Sequence, residues 1–272
     1  MMSFLMADKR RFFAAFGALG GVLSAIASNL LGFTDSAFES WVLGTASDGA
    51  LIAALVAVGQ SRYLGKKFDL AAIRRALAIG AIGGAIGGLV GMAGMSIAAG
   101  EFGRMAGWAL GGAAVGFAVH RIIPNLPAKT AMLAGAAGGF AGCLSMYLVS
   151  YTIGVATTGA IIGLAIALVE MKVREMWLEV TIRPKGLTLE KERTVAVTLG
   201  TKPVVFGCSG DADVQLASAG GTEKDFVSVG LAGRQAYLKD HATQQSRPIS
   251  DGEEFSISNA SIILRSKIAE AT

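Results

Sequence analysis

Forty consecutive residues, Thr130 to Val169, contain no aspartate, glutamate, lysine or arginine. A soluble fold has to put charge on its surface, and a stretch this long without any excludes that environment for the segment. Cysteine is almost absent as well. Cys143 and Cys208 are the only two, one in an apolar segment and one in a polar part, so a disulfide-stapled secreted fold is excluded. Histidine is limited to His120 and His241, and with two cysteines at no ligand spacing no metal or other cofactor is expected. No phosphate loop, dinucleotide motif or Ser/His/Asp arrangement occurs, and no enzyme activity is expected. The net charge of +4 and the pI near 9.1 do not point to nucleic acid, because the excess lysine and arginine flank apolar runs, where they have a topological reason to exist.

What the chain has in quantity is apolar residues, 53% with a mean hydropathy of +0.55, and glycine. Of its 37 glycines, 28 fall in residues 1–176. That part carries 13 Lys/Arg against 8 Asp/Glu, whereas 177–272 carries 11 against 12. Two domains follow, a glycine-rich transmembrane domain over 1–176 and a cytoplasmic domain over 177–272.

The first domain is organised around Ala76 to Gly100, an uncharged run long enough to cross a bilayer, for which ~20 residues suffice. Gly80, Gly84 and Gly88, and Gly83, Gly87 and Gly91, each recur every four residues. They form two smooth stripes on one helix, a glycine zipper on which a neighbouring helix packs backbone to backbone. Packing rather than pore lining is the expected role of these six glycines. GAIGGAIGG lies inside an apolar span and is not a phosphate cradle.

Further apolar segments run from Phe12 to Phe33, from Trp41 to Gln60 and from Met105 to Ile123. The uncharged forty residues would make a helix of ~60 Å, about twice the bilayer core, so they fold back as two spans near Ser150 to Thr152. The expectation is six spans, with Glu101 and Arg104 in a short loop after the third. The first run is longer than the ~7–15 residues of a signal-peptide core, so it is read as an uncleaved span. Gly20-Gly21 and Gly83-Gly84 are 63 residues apart, as are Gly49 and Gly112, and Gly138-Gly139 with Gly159 and Gly163 echo them. Three helical-hairpin repeats are expected. Twelve of the 13 basic residues fall on one side of such a six-span arrangement, which puts both termini in the cytoplasm of a bacterial inner-membrane protein.

Beyond Glu170 the runs WLEVTIR, ERTVAVTL, KPVVFG, DVQL, FVSVG, RQAYLK, EEFSIS and SIILRS alternate with period two between turn residues, the pattern of an all-β sandwich. Here GCSGDADVQL, from Gly207, and ISDGEEFSI, from Ile249, resemble the early strands and the late turn of a forkhead-associated (FHA) domain, and the likeness covers about 177 to 268. That resemblance implies signalling through phosphothreonine recognition. On this register Ser209, Thr222, Lys224 and Arg234 are the candidate phosphopeptide-binding residues, and Asp213 stands on the family's aspartate. The family's phosphate-contacting arginine is Cys208 here, its structural histidine is Asp225, and its Asn-Gly pair is missing from 241–247, so phosphothreonine binding is expected to be weak or lost.

Asp48 is the one carboxylate inside a span, where charge is costly and often functional. The plainer expectation is that Thr45 to Gly49 sits at the outer interface and caps a helix that starts later. His120 and Glu170 read as side chains reaching the interface at span ends. The chain is expected to be a non-enzymatic membrane scaffold whose FHA-like domain engages a cytoplasmic protein partner, surrounded by membrane lipids and compatible with a homo-oligomer. The alternative is a transporter or channel component with the β domain as its regulatory cap.

Overall fold

The computed structural model describes residues 8–32, 36, 38–64, 70–121, 123, 126–173, 175–183, 192–200, 202–210, 212–216 and 225–267. They form two compact units, one of 1–60 with 69–172 and the other of 61–68 with 173–272.

Six α-helices make up the first unit among the described residues: α1 Lys9–Leu30, α2 Thr45–Leu64, α3 Leu70–Gly94, α4 Gly100–His120, α5 Ala128–Leu148 and α6 Tyr151–Val173. Asp8 caps α1 by accepting from the Arg10 N–H at 3.0 Å. A π-helical turn, Glu39–Gly44, leads into α2, and a second, Met95–Ala99, follows α3. Five stretches are long and apolar enough to cross a membrane: Lys9–Leu30, Glu39–Leu64, Leu70–Ile97, Ala128–Leu148 and Tyr151–Val169. The exception, α4, carries Arg104, His120 and six glycines, each of which lowers its hydropathy.

The loop expected at Glu101 and Arg104 is not there. The chain reverses at Gly100, whose φ of 47° and ψ of −127° suit glycine and no side-chain-bearing residue, and α4 begins at once. Glu101 and Arg104 face each other one turn apart at 3.6 Å on that helix. The expected break in the uncharged forty residues falls at Val149 and Ser150, where the Ser150 hydroxyl accepts from the Ile153 N–H at 3.4 Å.

The helices are inverted relative to a soluble bundle. The buried faces of α3, α4 and α5 are mostly glycine, and those of α1, α2 and α6 mix small residues with Phe12, Phe13, Ile52 and Ile162, while Leu19, Ile82, Leu110, Leu133 and Leu164 point outward. An apolar exterior over a small-residue interior suits a solvent that is itself hydrocarbon.

Backbone approaches order the six helices in a closed circuit. A Cβ placed on Gly80 of α3 would stand 2.7 Å from the carbonyl carbon of Gly49 on α2. The same is true of Gly135 on α5 against Gly112 on α4, at 2.8 Å, and of Gly17 on α1 against Gly159 on α6, at 2.6 Å. Within the consecutive pairs, Gly20 meets the Ile52 backbone (2.8 Å), Gly87 the Gly107 carbonyl (2.7 Å) and Gly138 the Ile162 side chain (2.8 Å). Each helix therefore touches the next, and the last touches the first. The contacts recur along the chain, with equal spacing between the first two pairs and a shorter one to the third. Gly17 and Gly80 are 63 residues apart, as are Gly49 and Gly112, and the third contact uses Gly135 and Gly159 in the shorter final pair.

The second unit contains two sheets. One runs β2-β1-β9-β8 and is antiparallel throughout, from β1 Met176–Ile182, β2 Arg193–Thr198, β8 Glu254–Ile257 and β9 Ala260–Ser266. The other runs β4-β3-β5-β6-β7, from β3 Val204–Gly207, β4 Val214–Gln215, β5 Asp225–Ala232, β6 Gln235–Asp240 and β7 Ser246–Ile249, and only its β3–β4 pair is parallel. Alternate residues of both are buried: Leu178, Val180, Ile262 and Leu264 in the first, Phe206, Val214 and Val229 in the second. All eight alternating runs of the sequence fall on strands. The ninth strand, β7, has no alternating signature because it contains Pro248, and it lies at a sheet edge, where a residue without an N–H is tolerated. Between β7 and β8 the chain turns at Gly252 (φ 77°), and Glu253 pairs with Arg247 at 2.5 Å. The hydrogen bond from that guanidinium, joined by the Ser250 N–H, holds the exposed Glu253 carboxyl below its usual range.

Candidate functional site

The polar centre of the helical unit is Asp48. It lies in the first turn of α2 but is not a cap, since the preceding π-helical turn continues straight into the helix and leaves no free helix start. The expected capping role is overturned, and Asp48 is instead buried among the helices, 9% exposed. Its Oδ1 accepts from the Ser24 hydroxyl on α1, and its Oδ2 accepts from the Tyr151 hydroxyl, at 2.7 Å, on the first residue of α6. One carboxylate thus ties α2 to both α1 and α6, the two helices that close the circuit.

Beside it is a cavity of about 40 Å³, lined among others by Thr45 and Asp48 of α2, Trp108 and Gly111 of α4, and Val155 and Thr158 of α6. That volume holds a few water molecules, each of which needs roughly 10–15 Å³ by the same measure. The lining follows the chain spacing already described. Thr45, Trp108 and Val155 form one set of corresponding positions and Asp48, Gly111 and Thr158 another, so α2, α4 and α6 present the same faces to one central space.

The other hydroxyls at the cavity are engaged with the backbone. Thr45 Oγ1 donates to the Trp41 carbonyl at 2.6 Å, with the Gly84 carbonyl at 2.8 Å, and Thr158 Oγ1 donates to the Gly154 carbonyl at 3.0 Å. Arg104 is committed to Glu101 and to the ring faces of Trp41 and Tyr147, 5.2 and 5.3 Å from their centroids. Trp108 meets Tyr151 edge to face at 6.4 Å. The carboxylate therefore faces a nearly apolar chamber with two hydroxyl donors and no cationic partner among its described contacts.

No protein-family model, curated protein or solved structure matches the chain.

The glycine residues singled out from the sequence all lie at helix contacts. Gly80 meets Gly49, Gly83 meets Ala114, Gly84 meets Thr45, Gly87 meets Gly107, Gly88 meets Trp41, and Gly91 meets the Trp41 ring. The two stripes serve different neighbours: Gly80, Gly84 and Gly88 face α2 and its preceding turn, while Gly83 and Gly87 face α4.

Of the four candidate phosphopeptide residues, the two that are described, Ser209 and Arg234, lie far apart. Thr222 and Lys224 lie outside the described residues. Ser209 follows β3, whose last residue Gly207 pairs with Asp225 at the beginning of β5. Arg234 is exposed in the turn after Ala232, at the other end of β5. Asp225 to Ala232 spans roughly 23 Å at ~3.3 Å per residue, too far for Arg234 to share a phosphate with Ser209. Cys208 is buried at 8% exposure and so stands as a core residue rather than a surface contact. Asp213 holds the sheet together: its Oδ2 accepts from the Val205 N–H at 3.1 Å, just before the two residues of β4.

Ser24 and Tyr151 were not singled out from the sequence, though a signal existed. At the positions corresponding to Ser24, the other two pairs have Gly87 and Gly142, and at those corresponding to Tyr151 they have Trp41 and Arg104. The polar clasp is the place where the recurring pattern breaks. Among the described residues no group of three His, Cys, Asp or Glu side chains is placed to hold a metal ion. His120 sits at the end of α4 beside the Leu126 carbonyl, and the side chain of Glu170 lies outside the described part.

Proposed function

We propose that this chain is a non-enzymatic, multi-pass inner-membrane scaffold, built of three helical hairpins with six spans and displaying its β unit to the cytoplasm as an FHA-like protein-interaction domain. The observation that carries the reading is the glycine closure of the helical circuit. Backbones meet at each successive interface, and the cavity beside Asp48, about 40 Å³, has room for a few waters but not for an organic solute. A body packed this way suits anchoring better than passage. That α4 is a sixth span is supported by its neighbours, since it lies between α3 and α5, both apolar enough to cross a membrane, and meets each through glycine. The distribution of basic residues supports cytoplasmic termini, which places the β unit where a cytoplasmic partner can reach it. Gly207 to Leu216 and Ile249 to Ile257 fall on the strands and turn that the FHA resemblance requires, which supports that reading of the β unit.

A second reading, a transporter or channel component, is favoured by one observation, the buried Asp48 in the central chamber. Flux through liposomes separates the two. The scaffold account expects the purified full-length chain to pass sodium, potassium or chloride no faster than protein-free vesicles. Flux that rises with the amount of protein and is lost in Gly112→Leu would replace the scaffold reading with the second.

A further inference from the structure

We propose that Asp48, held by Ser24 and Tyr151, is a reversible proton-binding site of the membrane unit. The inference does not depend on what the β unit engages. An ionised carboxylate in a membrane interior is costly unless an opposite charge or several donors compensate it. The groups that face Asp48 from each packed element are few. From α1 comes the Ser24 hydroxyl, from α6 the Tyr151 hydroxyl, from α3 the glycine backbone at Gly84, and from α4 Trp108 and Gly111. Tyr151 is the only titratable group among them, and Arg104 is already occupied by Glu101 and two aromatic rings.

A metal cation does not fit this chamber. Hard cations take about six or more oxygen ligands, whereas the side-chain oxygens lining this chamber are those of Asp48, Thr45 and Thr158, with a single carboxylate among them. A proton needs only the carboxylate. It arrives from water, forms one O–H bond on Asp48 and leaves by the reverse step, with no change of oxidation state. Protonation also alters the clasp. A carboxylate accepts from both hydroxyls, but a carboxylic acid has a donor and a poorer acceptor on one oxygen, so the hydrogen bond accepted there is weakened or reversed. Because Ser24 and Tyr151 lie on the helices that close the circuit, the protonation state governs how firmly α1 and α6 are tied to α2.

The test is infrared difference spectroscopy of the full-length protein in lipid nanodiscs between acid and alkaline pH, with tryptophan emission recorded in parallel. The protonated-carboxyl C=O signal that appears on acidification is expected to contain one component that is lost in Asp48→Asn, while the signal of the other carboxylates remains. The emission of Trp108, whose ring contacts Tyr151, should follow the same titration in a Trp41→Phe, Trp177→Phe background that leaves it the single tryptophan. Tyr151→Phe, which keeps the ring and removes one donor, is expected to displace the midpoint while leaving the helical circular dichroism unchanged. Addition of sodium or potassium at alkaline pH should leave both signals where they are. Identical carboxyl bands in Asp48→Asn and the unaltered chain across the titration would overturn the proposal, and so would a response to the metal cations.

Discussion

Gly112→Leu is expected to prevent the helical unit from assembling. A Cβ on the facing Gly135 would already stand 2.8 Å from the Gly112 carbonyl carbon, and the obstruction is backbone, which cannot move aside as the tip of a side chain can. Overpacking a soluble core costs about 1–3 kcal/mol. Here the two helices must separate along their length, so the effect should reach or exceed about 3 kcal/mol, more than a hundredfold in the folded population. Gly49→Leu and Gly84→Leu strike corresponding contacts between α2 and α3 and should behave alike. Leu133→Ala is the control: its side chain is 70% exposed on the outer surface, and trimming it leaves the interior untouched. The measurement is the thermal midpoint and the monodisperse fraction after detergent extraction. Equal values for all four variants and the unaltered chain would mean that the glycine contacts do not hold the unit together.

Phosphothreonine peptides are expected to bind the β unit at least two orders of magnitude more weakly than a phosphate site with a full set of charged donors. Hydrogen bonds to a charged group contribute about 1.5–3 kcal/mol each, and a tenfold change in affinity corresponds to about 1.4 kcal/mol. Cys208 stands in place of the arginine that the FHA resemblance would supply, and the thiol is buried. Arg234, a remaining cation among the candidates, is exposed at the opposite end of β5 from Ser209. Calorimetry with the full-length protein should show no heat of binding for a phosphothreonine peptide beyond that of its unphosphorylated form. Micromolar, phosphate-dependent binding that is lost in Thr222→Ala would mean that the pocket is functional after all.

The division into a helical part and a β part was legible from composition, because a segment without charge and a segment with period-two alternation bury different surfaces. The eight alternating runs mark strands for the same reason, whereas β7 was hidden by Pro248, which breaks the pattern and is tolerated only because the strand is an edge. The reversal at Gly100 was misplaced because Glu101 and Arg104 suggest a polar loop, while their pairing one turn apart lets both sit on a helix. Asp48 stood out as a lone carboxylate, but its partners come from residues 24 and 151, and no local pattern links positions so far apart. Comparison of the three recurring pairs brings them together, since Ser24 and Tyr151 depart from the residues at corresponding positions on the same seam.

The central claim is that six helices, α4 included, cross the membrane and carry the β unit on the same side as residue 8. Single cysteines placed at Lys9, Glu101, Lys129, Ser150 and Lys267 in a Cys143→Ala, Cys208→Ala background test it, read in intact cells with a membrane-impermeant maleimide; Glu101 is exposed and next to the reversal. The account predicts that the reagent labels Glu101→Cys and Ser150→Cys, and that Lys9→Cys, Lys129→Cys and Lys267→Cys react only after the membrane is opened. Equal accessibility of Glu101→Cys and Lys129→Cys would show that α4 does not span, and labelling of Lys267→Cys in intact cells would put the β unit outside the cytoplasm.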